Sequence, residues 1–193
     1  MCNNTCNNTI GQYYDSARKC LPCGVYCYTC SGASHLCNQC VASQNRILSG
    51  NDCICNPIGF FNDWTSITCP TCHHSCRSCT GPSASQCIDC TTTSFRTVSI
   101  NSCFCNARYY DNGVVICANC HYTCFTCTDN ANTNCDTCAA TNFRQILSSN
   151  NSCPCMIGYY NIGINPVCLL CHYSCWTCSS SSITGCVTCN NTV

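Results

Sequence analysis

Apolar residues in this 193-residue chain come singly or in short runs, cut every few positions by Cys, Asn, Ser or Thr. No segment between cysteines exceeds fourteen residues, and none sustains the 3.6-residue period of an amphipathic helix, so long helices are not expected. Two short apolar motifs recur instead. The first is an aromatic doublet followed by Asp or Asn: Tyr13-Tyr14-Asp15, Phe60-Phe61-Asn62, Tyr109-Tyr110-Asp111 and Tyr159-Tyr160-Asn161. Neighbours on an extended segment face opposite ways, which lets one ring cover a disulfide while the other packs on a neighbouring unit or meets a partner. The second motif is Asn45-Arg46-Ile47-Leu48, Phe95-Arg96-Thr97-Val98 and Phe143-Arg144-Gln145-Ile146-Leu147. Its Ile, Val, Thr and Phe near polar turns such as Ser49-Gly50-Asn51 predict a short β-hairpin. The repeated Arg is expected to hydrogen-bond backbone carbonyls within its own module rather than an acidic partner.

Sulfur separates these motifs. Cys69 to Cys90 reads CPTCHHSCRSCTGPSASQCIDC, spaced C-x2-C-x3-C-x2-C-x7-C-x2-C, and the cadence returns from Cys20, Cys117 and Cys168. An eight-cysteine unit starts at Cys2, Cys53, Cys103 and Cys153, a period of about fifty residues. It divides the chain into repeat 1 (residues 1–52), repeat 2 (53–102), repeat 3 (103–152) and repeat 4 (153–193), the last truncated or a polymer-joining end. With 32 cysteines against 6 Phe and 2 Trp, cross-links must replace burial, and the compartment is oxidising: extracellular or cell-surface, reached by secretion. The expected fold class is small disulfide-rich repeats, an elongated rod or solenoid of four modules with short β-hairpins and little helix.

Charge narrows the classes further. Seven basic and seven acidic residues, without a run of either sign, offer no footprint for nucleic acid or an anionic membrane. No stretch approaches the roughly 20 apolar residues needed to span a bilayer. Met1-Cys2-Asn3-Asn4 lacks a signal-peptide core, so the chain is expected to be a processed product or a piece of a longer one.

Three chemistries compete for the cysteines. Cys69-Pro-Thr-Cys72-His73, Cys117-Ala-Asn-Cys120-His121 and Cys168-Leu-Leu-Cys171-His172 match the attachment signature of c-type haem. Haem would use six of the 32 cysteines, and repeat 1 has Gly24 where the His should be, so a multihaem c-type cytochrome is the minor alternative. Zinc held by four thiolates per ion would require up to about eight ions in a chain with little positive charge to balance them. Disulfides account for the remainder without a cofactor or metal.

Cys-x-x-Cys-His-x-Ser-Cys-x-x-Cys-Thr-Gly-Pro at Cys69 to Pro82, ending in Cys87-x-x-Cys90, resembles the furin-like repeat of the growth-factor-receptor cysteine-rich family. The fit covers all four units. Repeats 1, 3 and 4 lack the Gly-Pro, and repeat 1 lacks the His. Charge-poor arrays of such repeats are also similar to protist cysteine-rich surface proteins. Spacing alone leaves 105 pairings open for eight cysteines. The resemblance implies Cys55 with Cys69, Cys72 with Cys79, Cys76 with Cys87 and Cys90 with Cys103. Carried to the other units it implies Cys6 with Cys20, Cys23 with Cys30, Cys27 with Cys37, Cys40 with Cys53, Cys105 with Cys117, Cys120 with Cys127, Cys124 with Cys135, Cys138 with Cys153, Cys155 with Cys168, Cys171 with Cys178 and Cys175 with Cys186. Cys2 and Cys189 are left over: either the chain is cut from a longer array, in which each would pair with an adjoining unit, or an intermolecular disulfide joins Cys189 of one chain to Cys2 of the next, an open head-to-tail contact of the kind that grows fibres.

Asn3, Asn7, Asn150 and Asn190 head Asn-x-Ser/Thr acceptors for N-linked sugar; Asn51, Asn101 and Asn151 head the weaker Asn-x-Cys form. Glu is absent, the Asp residues are scattered, and no catalytic constellation forms. The sequence therefore reads as a non-enzymatic extracellular structural protein, glycosylated and self-associating into a surface coat, matrix or filament. Its alternative is the ligand-binding or adhesion ectodomain of a cysteine-rich surface receptor.

Overall fold

The computed structural model describes Cys6 and residues 11–189. Among these residues lie nine two-stranded sheets, three single 3₁₀ turns and no α-helix. The chain divides into two compact units, Met1–Thr91 with Val98–Cys103 and Thr92–Thr97 with Phe104–Val193. Each unit is a succession of small β-hairpin modules stapled by disulfides, and no helix among the described residues is long and apolar enough to cross a membrane.

Among the described residues, every buried apolar residue except Ala139 is a cysteine. Sulfur is the core. Among the described residues much of it gathers in three clusters: Cys27, Cys30, Cys37 and Cys53 under Tyr13; Cys76, Cys79, Cys87, Cys90 and Cys103 under Phe61; and Cys124, Cys127, Cys135 and Cys153 under Tyr110. One aromatic ring per cluster suffices because so small a module has little else to bury. In repeat 1 that ring comes from the first member of the doublet, in the next two repeats from the second. Counting from the residue with positive φ that opens each segment (Gly11, Gly59, Arg108 and Gly158), Tyr13 is the counterpart of Phe61, Tyr110 and Tyr160.

Three hairpin types alternate along the chain. The aromatic hairpin pairs Gln12–Tyr14 with Cys20–Pro22, Tyr109–Tyr110 with Ala118–Asn119 and Tyr159–Tyr160 with Leu169–Leu170; in repeat 2 it shrinks to a single bridge between Phe60 and Thr71. The Cys-x-x-Cys hairpin pairs Cys27–Cys30 with Cys37–Cys40, Cys76–Cys79 with Cys87–Cys90, Cys124–Cys127 with Cys135–Cys138 and Cys175–Cys178 with Cys186–Cys189. The third type, the Arg hairpin, pairs Arg46–Ser49 with Asp52–Cys55, and Arg96–Ser99 with Ser102–Cys105. In repeat 3 the same stretch keeps two bridges, Arg144 to Cys155 and Leu147 to Ser152.

The four Cys-x-x-Cys hairpins share one register and the same two irregularities, one on each strand. In the first, Cys27 faces Cys40 and Thr29 faces Gln39, so Tyr28 is the extra residue of a bulge. Arg77, Phe125 and Trp176 take the same place. A bulged residue is left out of the ladder, and the freed carbonyl is used: it accepts the N–H of Gly59 from Arg77 (2.7 Å), of Arg108 from Phe125 (2.7 Å) and of Gly158 from Trp176 (3.0 Å). The three donors have positive φ, 82° at Gly59, 72° at Arg108 and 83° at Gly158, and Gly11 takes the corresponding place in repeat 1 at 69°. Glycine is favoured there on conformational grounds, and at Gly11 a Cβ would also come within 3.0 Å of the Tyr28 carbonyl.

Candidate functional site

The disulfides set the frame. Sulfurs join Cys6 to Cys20, Cys23 to Cys30, Cys27 to Cys37, Cys40 to Cys53 and Cys55 to Cys69. They join Cys72 to Cys79, Cys76 to Cys87, Cys90 to Cys103, Cys105 to Cys117 and Cys120 to Cys127. They join Cys124 to Cys135, Cys138 to Cys153, Cys155 to Cys168, Cys171 to Cys178 and Cys175 to Cys186. A sulfur in a disulfide has no thiol to add to a haem vinyl group and no thiolate for zinc. The C-x-x-C-H cysteines are all used in this way. Cys189 is an exposed free thiol on the last strand. Cys2, Asn3, Asn7 and Asn190 lie outside the described residues. Asn150 is exposed, and its Oδ1 accepts from the Ser152 Oγ at 2.7 Å.

The histidines of the same motif serve the backbone. His73 Nδ1 accepts from the Ser75 N–H and lies 2.8 Å from the Ser75 Oγ; His121 does the same with Thr123 and His172 with Ser174. An accepting Nδ1 leaves the ring proton on Nε2. Repeat 1 has Gly24 and Tyr26 at these two positions, and there the Gly24 N–H reaches the Ser34 carbonyl at 2.7 Å.

The most elaborate polar constructions are three arginine clamps, one at each junction between successive repeats. Each is held by the same device: the residue before the Arg (Asn45, Phe95 or Phe143) sits in the left-handed region at φ 56–57°. The carbonyl one step earlier, on Gln44, Ser94 or Asn142, accepts the N–H of Cys69, Cys117 or Cys168 from the following repeat. The guanidinium then forks onto that repeat's aromatic hairpin. Arg46 donates to the carbonyls of Ile67, Ser66 and Cys53 and stacks 3.8 Å from the centre of the Tyr26 ring. Arg96 donates to the carbonyls of Val115 and Val114 and grips both Asp111 carboxylate oxygens, at 2.9 and 3.0 Å. Arg144 donates to the carbonyls of Pro166, Cys153 and Asn165 and to Asn161 Oδ1.

Bonding to carbonyls follows the sequence reading, but the fork reaches out of its own module into the next, which local sequence does not reveal. Asp111 and Asn161, each following an aromatic doublet, are site residues that sequence reasoning passed over, whereas Asn62 at the first junction accepts the Trp64 N–H instead. Their signal was present, since the position recurs in step with the Arg. Phe95 and Phe143 lie flat on Tyr109 and Tyr159, ring centres 4.3 Å apart, whereas Asn45 at the first junction instead sends its side-chain amide to the Cys69 carbonyl.

Around Arg144 the electrostatics are unusual. The residue is 2% exposed, and burial pushes its pKa down, with Tyr122 opposing. Burial and the adjacent Arg144 charge both push the His121 pKa below its ordinary value. A cavity of about 400 Å³ opens beside them, walled by Tyr122, Tyr159 and Tyr160. Elsewhere, hydrogen bonds from Ser66 hold the exposed Asp63 carboxyl well below the usual carboxylate range, fixing a turn that presents Trp64 at φ 62° and 87% exposed.

No family model matches the chain. It is similar to the cysteine repeat modular protein 2 of Tetrahymena thermophila, 34% identical over 106 residues, which is 48% of this chain and 5% of that protein. It is similar to the human extracellular matrix organizing protein FRAS1, 32% identical over 91 residues, 45% of this chain and 2% of that protein. The furin-like protease 2 of Drosophila melanogaster is 35% identical over 88 residues, 42% of this chain and 5% of that protein. The chain thus spans a small fraction of each relative, and its likeness to the protease is one of cysteine-rich repeats. Its modules resemble furin-like cysteine-rich repeats, and with their disulfides they place the chain outside the cell.

Proposed function

We propose that the chain is a non-enzymatic structural element of an extracellular coat, matrix or filament. The observation that carries this reading is the double staple at each junction: Cys40 with Cys53, Cys90 with Cys103 and Cys138 with Cys153, each closing a loop that contains the arginine of a clamp. Sulfur bridges and arginine forks invested in spacing one module from the next suit a protein whose task is to hold distance. On this reading the modules are residues 1–52, 53–102, 103–152 and 153–193, Asn150 carries sugar, and Cys189 bonds Cys2 of another copy. The name of the human relative, a matrix organizer, supports the setting.

Non-reducing electrophoresis of the native material tests the assembly, with a reductant-sensitive ladder expected. A monomer whose two remaining cysteines both react with a thiol reagent overturns head-to-tail linkage. Release of sugar from Asn150 by a peptide N-glycosidase tests the glycan.

A receptor or adhesion role is favoured by one observation. Where repeats 3 and 4 place Gly113 and Gly163 at the left-handed tip of the aromatic hairpin, repeat 2 places an exposed Trp64. A bulky residue there costs about 1–2 kcal/mol without stabilising burial. Loss of cell or matrix adhesion on Trp64→Gly, with monomer and polymer content unchanged, would favour this second role over the first.

A further inference from the structure

We propose that the cavity beside Arg144 binds the carboxylate or sulfate group of an acidic saccharide, an assignment that goes beyond the structural role above. Buried charges are ordinarily paired with an opposite charge. Arg96 obeys, holding Asp111 bidentately in an otherwise equivalent clamp. At the next junction the corresponding residue is Asn161, and every acceptor around Arg144 is neutral: three backbone carbonyls and one side-chain amide oxygen. These four bonds engage four of the five guanidinium N–H groups, so one N–H on Nη1 is left with no acceptor among them.

The space next to this cation fits a sugar. At about 400 Å³ the cavity lies within the range of small-ligand sites. Arg144 lines it, as do Tyr122, Tyr159 and Tyr160, whose rings offer flat apolar walls. Thr123 and Ser152 add hydroxyls, and Asn161 adds an amide already oriented by its bond to the Tyr122 hydroxyl at 3.0 Å. Ring faces beside a few fixed polar groups suit a pyranose, apolar on its C–H faces and polar at its edge; the buried cation selects an acidic one. His121 lies at the same wall, so an anion there opposes the Arg144 field that disfavours its protonated form.

The test uses the native, disulfide-intact chain and follows the His121 ring proton resonances by NMR during titration with glucuronate, glucose or the peptide Asp-Gly-Asp. Glucuronate is expected to shift these resonances saturably and raise the His121 pKa, with glucose leaving both unchanged. Asn161→Asp supplies the missing carboxylate internally and is expected to weaken glucuronate binding by at least about tenfold, while Asp111→Asn in the repeat 3 clamp leaves it intact. An equal response to glucose and glucuronate overturns the proposal, as does undiminished binding by Asn161→Asp. Tighter binding of Asp-Gly-Asp than of glucuronate assigns the cavity to an acidic peptide and overturns the saccharide.

Discussion

Arg96 and Arg144 occupy the same point of successive repeats, follow a phenylalanine in the same left-handed conformation, and fork onto the same carbonyls of the hairpin beyond. One meets a carboxylate, Asp111, and the other an amide, Asn161. The unchanged geometry shows that charge complementarity does not build the clamp. The planar fork satisfies backbone carbonyls, a role for which Arg is better shaped than Lys, and the nearby disulfides hold the two sides in register. Freed from that duty, the acidic position could change and leave a cation without a counter-ion.

Removing either fork has the largest expected effect. Arg96→Ala and Arg144→Ala leave several carbonyls without donors, at about 1–3 kcal/mol for each buried group left unsatisfied. Amide exchange should accelerate in residues 111–119 for the first variant and 159–170 for the second, each leaving the other segment unchanged. Equal acceleration of both segments by one variant would show that the clamps are not independent.

Exchanging the acids comes next. Asn161→Asp should slow exchange in 159–170, and Asp111→Asn should speed it in 111–119, each by about 1 kcal/mol. The Asp111 side chain is 45% exposed, so the estimate is already reduced for solvent screening. Opposite signs are required if a carboxylate adds to a clamp that stands without it.

A smaller effect is expected from Phe143→Asn, which copies the first junction into the third. It loses a ring stack contributing about 0.5–1.5 kcal/mol, but Asn tolerates the left-handed conformation better than Phe. The net loss at residues 159–160 should therefore fall below that of Phe143→Ala.

The pH effect is the mildest. The folded-state pKa of His121 lies below 6.5, so its contribution is complete above pH 6.5 and is lost as pH falls through the folded value. Protonation also removes the Nδ1 acceptor used by Thr123. Exchange at residues 121–124 should accelerate on acidification beyond its intrinsic pH dependence. His121→Asn should abolish that excess, and Arg144→Gln, which removes a charge that holds the His121 pKa down, should shrink the excess and bring it to completion at higher pH.

Much of this architecture is legible in the sequence because cysteines advertise themselves. The period is written in their spacing, and the absence of helical periodicity matches the hairpin modules. The turn at Gly50 and the Ile47-Leu48 pair announce the first Arg hairpin. Spacing could not pair the cysteines; that required a resemblance. Nor could it show that Arg46 reaches Ser66 or that Arg144 reaches Pro166, because such contacts depend on where the aromatic hairpin folds back. The placement of Arg108 in a column of glycines is intelligible only once the carbonyl of bulged Phe125 is seen. The substitution of Asn161 for Asp111 was visible throughout, but it acquires meaning only beside a buried cation.

The disulfides also determine how the chain answers a pull. From Cys6 to Cys186 every residue lies inside a closed sulfur loop, except for stretches of one or two residues such as Ile54, Phe104 and Leu21-Pro22. Tension applied at the ends bypasses each loop through its S–S bond, so the tether has almost no hidden length to release. It should stretch little before a covalent bond bears the load, and become extensible as soon as a reductant reaches it.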